Sequence, residues 1–130
     1  MLCILFRHWQ NLAGDAMGFV LQADGMSTLY FVGDTIWHPY VEVSLKMYSP
    51  DIIVMNTGYA VLNTFEGSLI MGKDDILRMY KVVPEAKIIA VHMDAVNHTM
   101  QSSEEVRAFV KSYNLQDRVY VPHEGETLTF

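Results

Sequence analysis

The sequence predicts one α/β domain built on a mixed sheet, and three observations predict it. An Asp24-Gly25 dipeptide joins two apolar, β-rich runs, the pattern of an antiparallel hairpin. Two almost wholly apolar runs, "DIIVMN" and "KIIAVH", each follow a stretch with helical spacing, the pattern of parallel β/α units. A chain of 130 residues, 51% of them hydrophobic, is the size of one domain with a real core and too short for two.

In chain order, Leu2 to Phe6 reads as a strand and "RHWQNLAGDA" as a loop. The hairpin takes Met17 to Ala23 and Thr28 to Val32. Tyr40 to Tyr48 is amphipathic and stops at Ser49-Pro50, which a helix does not easily cross. "DIIVMN" reads as a fully buried strand running to Gly58. Lys73 to Val82 opens with acids and carries Ile76, Leu77 and Tyr80 on one face, which indicates a helix that Pro84 ends. "KIIAVH" reads as a second buried strand. Ser102 and Glu105 have capping-box spacing ahead of Val106, Phe109, Val110 and Tyr113, so a third helix follows. "RVYV" and "TLTF" read as short closing strands across "PHEGE".

Charge and cysteine content narrow the function classes. With 15 acidic against 9 basic residues, a net charge of -6 and no Lys/Arg cluster, the chain has no electrostatic footprint for nucleic acid. The lone Cys3 excludes an internal disulfide and a thiolate metal cluster and fits a reducing compartment. "MLCILF" is too short for a leader or a membrane span, so a cytoplasmic location without a membrane partner is expected. No phosphate loop, dinucleotide fingerprint, nucleophile elbow or His-Glu-x-x-His is present, and nothing recommends covalent serine or cysteine catalysis.

Three runs end on polar residues foreign to a core: Asp34 after "YFVG", Asn56 after "IIVM" and His92 after "IIAV". In a shared parallel sheet these side chains gather along one edge, where α/β proteins collect ligands. Carboxylate and imidazole suit zinc, manganese or iron, and an acid at a strand end can bridge two such ions. Each residue also has a plainer explanation. Asp34 in "GDT" fits a turn or a helix N-cap, Asn56 before Thr57-Gly58 a turn, and His92 a hydrogen-bonded structural histidine. Asp94 and His98 follow His92 closely, either as a supporting shell or pocket lining or as part of a capped loop. His8 lies in a polar loop, where a ligand or a surface histidine is equally at home. His38 and His123 sit beside prolines and read as exposed, and the nine methionines and the tyrosines read as core filling.

"MGFVLQADGMSTLYFVGDTIW", "SPDIIVMNTGYA", "AKIIAVHMDAVNH" and "VYVPHEGETLTF", in this order, resemble the C-terminal half of the metallo-β-lactamase fold, in the branch of ascorbate-6-phosphate lactonases and metal-dependent hydrolases. The resemblance runs from about Arg7 to Phe130. It implies an αββα sandwich of which this chain holds a half-domain, residues 1–130. It further implies a metal-dependent hydrolase of small esters, lactones or phosphoesters. Asp34 matches the metal-bridging aspartate, His92 the last histidine ligand and His8, less distinctively, the middle one, with zinc the foremost metal and manganese or iron also fitting. The family's His-x-His-x-Asp-His motif is absent, since no two histidines here are spaced i, i+2. Little or no turnover is therefore expected from this chain alone. A half-domain leaves one sheet face bare, so a homo-oligomer that buries it is expected. Two other classes stay open: a non-catalytic interaction module that keeps the fold without the chemistry, and a metallophosphatase, whose further Asn and His ligands are not found.

Overall fold

A computed structural model describes residues 2–6, 16–63 and 66–130. The elements run β1 (Leu2–Phe6), β2 (Ala16–Leu21), β3 (Leu29–Phe31), α1 (Pro39–Tyr48), β4 (Ile52–Asn56), α2 (Lys73–Val82), β5 (Lys87–Val91), α3 (Ser103–Ser112) and β6 (Val119–Tyr120). The six strands form one sheet in chain order. β1, β2 and β3 pair antiparallel, and β3, β4, β5 and β6 pair parallel. This is the mixed α/β sheet the sequence predicts, with Gly25 at φ 72 in the hairpin turn.

Local chemistry sets each helix boundary. His38 caps α1, its Nδ1 accepting from the Tyr40 amide at 3.3 Å, and Pro39 takes the first turn, where a missing N–H costs nothing. The Ser49 amide donates to the Leu45 carbonyl at 2.9 Å as the chain turns left-handed at φ 41. Ser102 caps α3 reciprocally: its Oγ accepts from the Glu105 amide at 3.2 Å, and the Glu105 carboxylate accepts from the Ser102 amide at 2.9 Å.

All three helices cover the same sheet face, as right-handed crossovers between adjacent parallel strands require. Leu45 of α1, Met79 of α2 and Val106 of α3 join Tyr30, Ile53 and Ile88 of the sheet in one core, each at 0% exposure. Each such aliphatic side chain contributes about 1.5–3 kcal/mol by leaving water. Two sequence expectations are corrected. β4 and β5 are not buried on both faces: Ile53, Met55, Ile88 and Ala90 are buried, whereas Ile52, Val54, Ile89 and Val91 are half-exposed. Among the described residues helices cover one face only, so apolar runs here do not mean two-sided burial. "TLTF" forms no strand either. Phe130 instead sets its ring edge-on to Tyr120 at 5.0 Å and beneath the Lys87 ammonium at 4.4 Å, and these side-chain contacts replace a ladder. Among the described residues no helix is long and apolar enough to cross a membrane.

Candidate metal-binding edge

The carboxyl ends of β3, β4 and β5 lie side by side, because Phe31 pairs with Val54 and Val54 with Ile89 in parallel register. Asp34 and His92 follow the ends of β3 and β5, and Asn56 closes β4, along the edge where the sequence reading places them. The structure directly joins two of them: Asn56 Nδ2 donates to Asp34 Oδ1 at 2.6 Å. The contact holds one carboxylate oxygen while Asp34 stays exposed. Asp34 caps no helix, since α1 begins at Pro39 and His38 caps it. Its loop is fixed from both sides: Gly33 at φ 78 packs against the Met17 carbonyl, and the Thr35 carbonyl accepts from the Met71 amide at 2.9 Å.

His92 stands one residue beyond β5, exposed, with φ 65, and its ring makes no hydrogen bond to a described residue. The structural-histidine explanation thus lacks its hydrogen bond. A left-handed non-glycine residue is sparsely populated and is a feature that binding sites often hold. Two strand spacings, about 10 Å, separate the ends of β3 and β5, so Asp34 and His92 flank Asn56. Gly58, just past β4, packs against the His92 carbonyl so closely that a methyl group there would lie 2.4 Å away.

Asp94 and His98 take different places. The Asp94 carboxylate accepts from the Ser103 amide with both oxygens at 3.2 Å, which ties the loop after β5 to the amino end of α3. His98 is half-buried, and its carbonyl accepts from the Val61 amide at 2.9 Å. His8 lies outside the described residues.

A cavity of about 470 Å³ opens beside the edge, lined by His92, Asp94, Ser103, Arg107, His123 and Glu124 among others. Arg107 is the residue that sequence reasoning missed. Its guanidinium donates to the Val121 carbonyl at 3.1 Å, the Pro122 carbonyl at 3.2 Å and Ser103 Oγ at 3.1 Å, and so fastens the segment before His123 to α3. The Ser103-to-Arg107 spacing of one helical turn was visible in sequence, but the two carbonyls come from the fold.

The donor set can be tested against a metal ion. Exposed carboxylate and imidazole are the right donors for zinc, manganese or iron, yet a catalytic zinc takes three protein ligands besides its open position. Among the described residues no group of three or more His, Cys, Asp or Glu converges to hold an ion. Asp34 and His92 are therefore compatible with a metal centre but do not complete one.

No family model matches the chain. It is 43% identical over 120 residues to the UPF0173 protein YddR of Bacillus subtilis (strain 168), covering 92% of this chain and 47% of that protein. Among solved structures, a possible metal-dependent hydrolase from Veillonella parvula DSM 2008 superposes with a TM-score of 0.88 at 54% identity, covering 92% of this chain and 45% of that one. An isothiocyanate hydrolase from Delia radicum gut bacteria also gives 0.88, at 41% identity over 93% of this chain and 46% of that one. The metallo-β-lactamase fold protein YhfI from Bacillus subtilis, at 14% identity and a TM-score of 0.52 over 85% of this chain and 41% of that one, shares the fold alone. The chain spans about half the length of the relatives it matches.

Proposed function

This chain carries half of a metallo-β-lactamase-type fold, and from that premise we propose that it is the part of a metal-dependent hydrolase that contributes Asp34 and His92 to a divalent-metal site. The carrying observation is the hydrogen bond from Asn56 to Asp34 at 2.6 Å. It holds one oxygen of a carboxylate at the same strand edge as an exposed histidine and leaves the other oxygen without a hydrogen bond to a described residue. In this reading Asn56 orients Asp34, and Asp94 and Arg107 hold the rim of the adjoining cavity. Zinc is the first metal to test, because mixed carboxylate and imidazole ligation suits it. The substrate class is a small molecule with a carbon or phosphorus electrophile, namely an ester, lactone or phosphoester. The relative named an isothiocyanate hydrolase adds that electrophile to the trial set.

Turnover is not expected from this donor set alone. The reading is tested by elemental mass spectrometry of freshly purified protein beside Asp34→Ala and His92→Ala. About half an equivalent of metal or more per chain, lost in both variants, supports it. Metal-free protein that does not respond to either substitution removes it. That second outcome would favour the non-catalytic module, for which the absence of a three-donor cluster among the described residues speaks.

A further inference from the structure

The cavity of about 470 Å³ beside the edge has a cationic wall that the metal-site reading does not use. Its lining comes from the end of β5, the first two turns of α3 and the segment after β6, toward the end of the sheet opposite β1. Arg107 stands in that wall, half-buried, and forms no ion pair among the described residues. A guanidinium carries five N–H groups. Three are engaged, one each on Nε, Nη1 and Nη2, with the Val121 carbonyl, Ser103 Oγ and the Pro122 carbonyl. Those acceptors are neutral, so they fix the group in place and leave its charge uncompensated. One N–H on each terminal nitrogen is left without an acceptor among the described residues.

The carboxylates of this region do not take up that charge. Both Asp94 oxygens accept from the Ser103 amide at 3.2 Å, and Glu126 accepts from the His123 amide at 2.7 Å. Glu124 lines the cavity but is exposed, where water and salt screen it. The His92 and His123 rings, exposed in the same lining, make no hydrogen bond to a described residue, and each has an N–H to give. Among the described residues no three His, Cys, Asp or Glu side chains converge, so the wall is not arranged for a cation.

We propose that this cavity binds the oxyanion, a carboxylate or a phosphate, of a small organic molecule. A planar guanidinium with a donor left on each terminal nitrogen suits two oxygens of such a group, and charge-assisted bonds of this kind are among the stronger hydrogen bonds. The volume is that of a small-molecule site. Ala90, Val91, Met93 and Pro122 supply apolar lining, so the oxyanion arrives on a partly apolar body and not as a bare ion. Resting on the metal-site reading above, the oxyanion is the part of the substrate remote from the bond that breaks. Anchored at Arg107, it presents the electrophile toward His92, which lines the same cavity. The candidate esters, lactones, phosphoesters and isothiocyanates are thereby narrowed to those that carry a separate anionic group.

The test is isothermal titration calorimetry of the chelator-treated, metal-free chain with benzoate, phenyl phosphate and, as a neutral isostere, benzamide. At least one of the two anions should bind and benzamide should not, and the tighter anion identifies the oxyanion. Arg107→Lys keeps the charge but loses the planar fork, and should weaken that binding about ten-fold. Glu124 makes no hydrogen bond to a described residue, so Glu124→Gln changes charge alone and should tighten binding about two-fold. Failure of both anions to bind overturns the proposal, as does benzamide binding as well as benzoate, or unchanged affinity in folded Arg107→Lys. Should Arg107→Lys fail to fold, unchanged affinity in Glu124→Gln overturns it. Anion binding by a chain that takes up no metal keeps this site and removes the hydrolase reading, whereas metal uptake without anion binding removes this site alone.

Discussion

Three glycines hold the candidate edge or its hairpin, and their replacement by alanine separates two costs that usually arrive together. Gly25 sits at φ 72 with nothing within 4 Å of the place an added methyl group would take, so Gly25→Ala costs only the left-handed backbone, about 1 kcal/mol. Gly58 has no positive φ, but an added methyl would lie 2.4 Å from the His92 carbonyl oxygen and 2.7 Å from Thr99 Cγ2. The backbone cannot simply retreat. The Gly58 carbonyl accepts from the Met100 amide at 3.0 Å and the Gln101 amide at 3.1 Å, and the neighbouring Thr57 and Tyr59 amides are bonded to Val91 and Met71. Overpacking of a site without slack costs about 3 kcal/mol. Gly33 combines both terms, φ 78 and a contact of 2.3 Å with the Met17 carbonyl oxygen, and should lose about 4 kcal/mol.

Thermal unfolding followed by circular dichroism reads these losses as drops in Tm. At about 4 °C per kcal/mol for a domain of this size, the expected falls are about 4 °C for Gly25→Ala, about 12 °C for Gly58→Ala and about 16 °C for Gly33→Ala. The reasoning is refuted if Gly58→Ala falls no further than Gly25→Ala. The loops after β4 and β5 would then slide apart at no cost, and the claim that packing fixes His92 relative to Asn56 would fail with it.

Further outcomes follow from the core and the caps. The Tyr30 hydroxyl is buried without a well-formed hydrogen bond among the described residues, so Tyr30→Phe should leave stability unchanged or raise it by about 1 kcal/mol in urea unfolding. Burial pushes the Tyr30 phenol well above its usual range, and the nearby Ser44 offsets only part of that. A raised folded pKa means the folded state keeps a proton the unfolded chain has lost. Wild-type stability should therefore decline above about pH 10, by as much as about 1.4 kcal/mol per pH unit from this group, and Tyr30→Phe should remove that component. Ser102→Ala removes half of a reciprocal cap and should cost about 1 kcal/mol by the same unfolding assay. Arg107→Met keeps the stem but strands the Val121 and Pro122 carbonyls. It should cost about 2 kcal/mol and speed amide exchange in residues 121–126, and unchanged exchange there would show that the tail needs no such fastening.

Much of the edge was legible because strand ends are marked by abrupt changes of residue type. "YFVGD", "IIVMN" and "IIAVH" each break an apolar run with a polar side chain, and parallel register does the rest. The helices were legible through Ser49-Pro50 and the Ser102-Glu105 box, which act over four residues or fewer. What escaped depends on contacts between distant segments. The role of Arg107 needs carbonyls 14 and 15 residues away, and "TLTF" carries strand composition but finds its contacts through the Phe130 ring. The His38 cap was obscured for another reason: histidine is an uncommon capping residue, and Tyr40 looked like the first helical position.

Reading β4 and β5 as buried on both faces was mistaken for the chain alone, and the mistake is informative. A sheet with one face in water alternates apolar and polar residues, as antiparallel sheets with a wet side do. β4 reads Ile-Ile-Val-Met and β5 Ile-Ile-Ala-Val, so the half-exposed positions are as apolar as the buried ones. Leaving Val54, Ile89 and Phe31 in water forfeits about 25 cal/mol for each Å² that a second layer would cover. Among the described residues the same edge also offers metal donors in a number too small to hold an ion. An outer face as apolar as the inner one is the pattern of a sheet that packs against a further layer, and the strand ends of that sheet are where Asp34, Asn56 and His92 stand.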